Sequence, residues 1–264
     1  MTKRILAAAA AALCLSAACA QDWSNLLKQA EDNTAFYETD FSAKYTIKQT
    51  KPGRSSSTTE ATIYRRDKAS KWTILITGPA KEKGKGYLQS DGTVWFFDPA
   101  DRRFTFSSIS DKFQNTNASN ADFAPQLYYS AYDVVSAKEE KLGKLDCVLF
   151  ELKAKEDAKS KVEYQVLKLW VTKADGLVRM KEDYSKNGSQ KLRTTVIPSY
   201  QSVSTTGRKY SIPVSMTIID ELNGKRIDGK MEQETTTITI ASPSFAKVGD
   251  NVYTKPYLET MSAR

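Results

Sequence analysis

Apolar side chains recur at every second position over most of this chain, and runs with that period are half-buried β-strands. Phe41, Ala43, Tyr45 and Ile47 alternate with Ser42, Lys44, Thr46 and Lys48, and a second run passes through Ala61, Ile63 and Tyr64. Trp72, Ile74 and Ile76 share one face of a run over 71–77. Further alternating runs cover 134–140, 145–154, 164–172, 177–185, 190–197, 209–222 and 225–240. Asp-Gly at 91–92 and 175–176 and Asn-Gly at 187–188 and 223–224 punctuate them, and these dipeptides supply the positive φ angles of tight hairpin turns. Consecutive strands joined so tightly run antiparallel, and a dozen in one sheet curl strongly or close into a barrel.

The stretch 85–106 departs from simple alternation. It climbs to the turn at Asp91-Gly92 and returns through Val94, Trp95, Phe96 and Phe97, with Trp95 and Phe97 on one face and Val94 and Phe96 on the other. Neither face suits water, so both need a cover. Asp98-Pro99 ends that strand, and 102–106 starts another with Phe104 and Phe106 two apart. A helix is predicted over 23–33, where Trp23, Leu26, Leu27 and Ala30 fall at i, i+3, i+4 and i+7. The polar segment 107–120 reads as a long connection, and 121–132 as a short aromatic helix or loop.

The first twenty residues stand apart as an export signal. Lys3-Arg4 precede an apolar run from Ile5 to Leu15, too short to span a bilayer, and Ala18-Cys19-Ala20 offers a small-residue cleavage site. Residues 21–264 are then one mature domain, soluble in the periplasm of a bacterium. Ser16-Ala17-Ala18-Cys19 partly matches a lipobox, which would instead leave the protein anchored through a lipid on Cys19. The other cysteines are Cys14, in the leader, and Cys147, in an apolar strand, so no disulfide is available inside the mature domain. Loss of Lys3 and Arg4 lowers the formal charge from +8 to +6. Lysine and arginine interleave with acids rather than massing, and no basic tract carries stacking aromatics, so nucleic acid is not an expected partner.

The chain contains no histidine, which removes the commonest general base and metal ligand. Glu139-Glu140 and Glu156-Asp157 sit among lysines beside turns, as solvated surface does. Gly84-Lys85-Gly86 precedes no helix and makes no phosphate loop. Neither an enzyme nor a cofactor is expected.

The run Ser90-Asp91-Gly92-Thr93-Val94-Trp95-Phe96-Phe97-Asp98-Pro99 resembles the signature hairpin of the periplasmic lipoprotein carriers, the LolA-like family. Gly84-Lys85-Gly86-Tyr87-Leu88, Leu169-Trp170-Val171-Thr172-Lys173 through Glu182-Asp183-Tyr184 to Asn187-Gly188, and Tyr210-Ser211-Ile212-Pro213-Val214-Ser215-Met216 are similar to segments of its longer lipoprotein-sorting branch. The last segment, from Val252 to Glu259, is similar to the way that branch closes.

That resemblance implies an incomplete antiparallel β-barrel around a hydrophobic cavity, with a few short helices as plug or lid. It also implies acyl cargo from a lipoprotein or lipid, an inner-membrane exporter as donor and an outer-membrane acceptor. Trp72, Ile74, Ile76, Trp95, Phe97, Phe104 and Phe106 are then the candidate lining. Arg65, Arg66, Arg102 and Arg103 are candidates for headgroups at the rim, and 107–120 with Phe113 for a lid. Two-sided apolar strands also arise in a filled barrel, so a structural or adhesive envelope protein is the alternative.

Overall fold

The computed structural model describes residues 23–205 and 207–262. The expected signal peptide and Cys19 lie outside the described residues.

Thirteen strands form one open antiparallel sheet. In chain order they are β1 (Phe41–Thr50), β2 (Ser57–Arg66), β3 (Lys71–Gly78), β4 (Gly86–Ser90), β5 (Thr93–Asp98) and β6 (Arg103–Ser107). They continue as β7 (Tyr132–Leu142), β8 (Leu145–Ala154), β9 (Val166–Thr172), β10 (Val178–Tyr184), β11 (Lys191–Thr205), β12 (Arg208–Ile227) and β13 (Lys230–Ser244). Their spatial order is β6-β5-β4-β3-β2-β1-β13-β12-β11-β10-β9-β8-β7. Two meanders are thus joined where β1 pairs with β13, and the sheet ends at β6 and β7. Those two edges do not pair, so the barrel stays open, as the family resemblance implies; the alternating runs and hairpin dipeptides predict the antiparallel meander but leave closure undecided.

The turn at 91–92 is a two-residue hairpin with Asp91 at φ 53° and Gly92 at φ 76°, which L-residues other than Asn and Asp seldom reach. Asn223-Gly224, expected as a turn, is not one. β12 runs on through it, and the hairpin closes instead at Asp228 (φ 48°) and Gly229 (φ 79°). The Asp220 carboxylate accepts from Leu222 N and Asn223 N, and the β12–β13 register breaks between Ile219 and Gly224. Side-chain hydrogen bonding therefore converts the Asn-Gly signal into a strand irregularity.

Helix α1 (Ser24–Asp32) forms where predicted. Its Leu27 and Ala30 pack with Val148, Phe150, Leu167, Leu169 and Val178, covering the concave face of β8–β10. The C-terminal helix α2 (Lys255–Ser262) covers the other surface of the sheet, where Leu258 joins Leu75, Leu88 and Phe97. Leu258 seats on Gly86: a Cβ there would stand 2.6 Å from Leu258 Cδ2 and 2.7 Å from the Ile74 carbonyl oxygen. The two-sided apolar character of β5 is explained by these covers, with Val94 and Phe96 facing inward and Trp95 and Phe97 facing α2.

Candidate functional site: a plugged concave face

The concave face of β1–β5, β12 and β13 carries Phe41, Tyr45, Ile47, Ile63, Trp72, Ile74, Ile76, Ile218 and Ile238, all buried. The β6–β7 connection lies over it. This segment places Phe113, Ala118 and Phe123 in the same apolar cluster, so the expected polar lid is in fact a plug with two buried phenylalanines. Ring contacts run from Phe96 to Tyr87 (4.9 Å), Phe113 (5.1 Å), Phe123 (4.8 Å) and Tyr45 (6.0 Å). Gln114 N and Nε2 donate to the Tyr87 hydroxyl, and Asn117 N donates to Thr236 Oγ1 and Gln49 Oε1.

An ionic cluster fastens the base of the plug. Arg193 on β11 is nearly inaccessible and meets Asp122 through both terminal nitrogens, at 2.8 and 2.9 Å. Its Nε donates to Asp183 at 2.6 Å, and Glu163 lies 3.6 Å away. Lys181 reaches Asp183 at 3.3 Å. Three carboxylates thus share two cations, and one of them must be poorly compensated. Burial pushes the Asp122 carboxyl up, but Arg193 and Lys181 outweigh it and hold it below the usual carboxylate range. For Glu163 burial wins, and its carboxyl is raised.

Two spaces flank the plug. One is a cavity of about 110 Å³ between α1 and the plug, bounded by Ala30, Phe36, Phe41, Phe123, Tyr200, Ile212 and Ile240. The second is an open groove of about 960 Å³ in which Trp72, Gln89 and Val94 of one meander face Tyr132, Leu167 and Asp183 of the other, across the unpaired edges. Ala124, Gln126, Tyr128 and Lys181 border both, so the cavity and groove adjoin through the plug.

The register divides the expected lining. Trp72, Ile74 and Ile76 face inward, and Trp72 also borders the groove. Trp95, Phe97 and Phe104 face outward beneath α2, where Lys255 Nζ stands 3.5 Å from the centre of the Trp95 ring. Phe106 pairs with Trp95 and is 72% exposed on the edge strand, bordering only the mouth of the groove. Alternation in β5 and β6 was visible in the sequence, but which face turned inward was not.

The expected arginine rim is corrected too. Arg65 is buried, paired to Asp67 at 2.6 Å, bonded to the Thr34 carbonyl and stacked on Phe36. Arg66 clamps Asp40 and the Val248 carbonyl. Arg102, in the β5–β6 turn, and Arg103, the first residue of β6, are exposed and line neither space. Missed from sequence were Arg193, Lys181, Asp122 and Asp183. Their only signal was an apolar strand broken by a charge on its inward side, as at Lys181 and Asp183, whose partners on β9 are Leu169 and Leu167.

A family model whose description reads "Uncharacterized protein" matches residues 68–260. The chain belongs to this family. No curated protein matches it. Among solved structures, a LolA superfamily protein from Nitrosomonas europaea is similar at 20% identity with a TM-score of 0.70, over 88% of this chain and 97% of that one. A domain described as an outer membrane lipoprotein-sorting protein, from Vibrio parahaemolyticus, is similar at 17% and 0.73, over 89% and 97%. A DUF1329 family protein from Desulfovibrio piger is similar at 16% and 0.74, over 90% and 98%. The fold is therefore the LolA-like half-barrel. Among the described residues no helix is long and apolar enough to cross a membrane.

Proposed function

We propose that this protein is a periplasmic carrier that holds the acyl chains of a lipid or lipoprotein against its concave face and moves them toward the outer membrane. The observation that carries this reading is an apolar concavity closed by a separate segment, with a cavity and an open groove meeting at that segment. The fold's resemblance to lipoprotein-sorting domains supports an inner-membrane exporter and an outer-membrane acceptor as partners in this role.

The cavity between α1 and the plug does not hold a whole chain. At about 110 Å³ it is smaller than the ~150 Å³ engineered cavity that accepts benzene. Loading of the concave face therefore requires the plug to move. A sixteen-carbon chain is stabilised by on the order of 10 kcal/mol when taken out of water, in a membrane or in the protein alike. The hydrocarbon term thus nearly cancels between donor and carrier. What remains is the plug: lifting Phe113 and Phe123 exposes two aromatic side chains at about 1.5–3 kcal/mol each. That cost opposes loading and is regained on release, so a closed empty state drives hand-over to an acceptor.

The small residual volume favours one competing reading, a structural or adhesive envelope protein whose interior is filled. Lipid extraction and native mass spectrometry of the purified protein separate the two. Bound acyl lipid is the expected result. A protein recovered empty that also excludes hydrophobic dyes overturns carriage in favour of the scaffold.

A further inference from the structure

The groove between the unpaired sheet edges is not electrically neutral. Lys161 and Lys186, both exposed, border it with no ion-pair partner among the described residues. They come from separate parts of the chain, the connection before β9 and the β10–β11 turn. The acids bordering the same groove are already engaged: Asp67 with Arg65, and Glu163 and Asp183 with Arg193. Lys159 is neutralised by Glu156 at 2.6 Å. One carboxylate of the Arg193 cluster stays poorly compensated, but cations outnumber acids along the groove's lining.

Orphaned polar atoms give a second indication. Trp72 is buried beside Lys71, and its Nε1 has no acceptor; the Oε1 of its cross-strand partner Gln89 has no donor. Both residues border the groove. A buried donor left without an acceptor is costly, and an incoming ester or phosphate oxygen would satisfy the indole, as a hydroxyl would satisfy Gln89.

We infer that the groove takes the headgroup of an anionic, phosphate-bearing diacyl lipid, with Lys161 and Lys186 beside the phosphate while the chains pass beneath the plug. This inference rests on the carrier reading and deepens it by assigning the headgroup class. Point charges on flexible stems suit a phosphate that enters and leaves, where a bidentate arginine clamp would hold it more tightly.

The test offers the purified protein vesicles of equal parts phosphatidylglycerol and phosphatidylcholine with the same acyl chains. Lipid recovered with the protein after gel filtration is then quantified by mass spectrometry. Phosphatidylglycerol is expected to be enriched about tenfold at low salt, a preference that screening weakens as salt rises. Replacing both lysines together (Lys161→Gln, Lys186→Gln) should bring the ratio to about one while the total lipid recovered is kept, because exposed charges outside the ion pairs contribute little to the fold. Equal recovery of the two lipids by the native chain, or a preference that survives the double substitution, overturns the headgroup assignment and leaves carriage standing. Recovery of no lipid at all overturns both.

Discussion

Arg193 is surrounded by more negative charge than any other buried cation described in the chain, and its removal should show what the cluster is worth. In Arg193→Met, Asp122 and Asp183 keep their buried positions without their principal counter-charge. Breaking one side of such a pair costs about 3–5 kcal/mol, which urea denaturation at neutral pH will read directly. The pH dependence should change sign as well. In the native protein the Asp122 carboxyl lies below its ordinary 3.8, so its contribution is complete above the unfolded value and is lost as pH falls through the lower folded one. Native stability should therefore decline below about pH 4. Without Arg193 the buried carboxylates rise instead, and the variant should gain stability on going from pH 7 to pH 5; a variant that follows the native slope would show that the cluster does not set these carboxyls. None of this was legible in the sequence, where Arg193, Asp122 and Glu163 stand tens of residues apart and look like ordinary surface charge.

Helix α2 and the plug occupy opposite faces of the same strands. Both answer one local fact, that β5 is apolar on either side. The spacing of Tyr257, Leu258 and Met261 was available as a helix signal, yet its target, the outer face around Gly86 and Phe97, became apparent only with the register. Leu258→Ala should cost about 2–5 kcal/mol by leaving a cavity against Gly86, measured as a lowered urea midpoint with unchanged slope. Because that face is remote from the groove, lipid recovery should be unaltered. The plug should behave in the opposite way. Phe113→Ala enlarges the free space beside Tyr87 and Phe123, so uptake of a hydrophobic dye should increase even though stability falls. A dye response equal to that of the native chain would mean the space collapses, and the plug would then be simple core.

Opening at the β6–β7 seam is a property of all thirteen strands together. The two meanders share a long continuous ladder from β3 through β1 and β13 to β11, while the plug touches that ladder only through side chains and a few hydrogen bonds. Segments with few ladder bonds open at lower free energy than the sheet that supports them. Hydrogen exchange should accordingly find 107–128 exchanging faster than β1, β2, β12 and β13 in the empty protein. On lipid loading the change in protection should be confined to this segment and the groove around it. Uniform slowing across the sheet would instead indicate global stabilisation without a moving plug.

Strand period, hairpin position at Asp91-Gly92, helix α1 and the antiparallel meander followed from the sequence, because alternation, turn dipeptides and helical spacing are local and survive without knowledge of partners. Tertiary structure alone decided which side of each strand is concave. Period two places Trp95 and Phe97 opposite Val94 and Phe96 but is symmetric between inside and outside, and the side is chosen by α2 and the plug. It also decided which charges are spent. Arg65 and Arg66 read like a basic rim until Asp67 and Asp40 arrive beside them, whereas Lys161 and Lys186 have no ion-pair partner among the described residues.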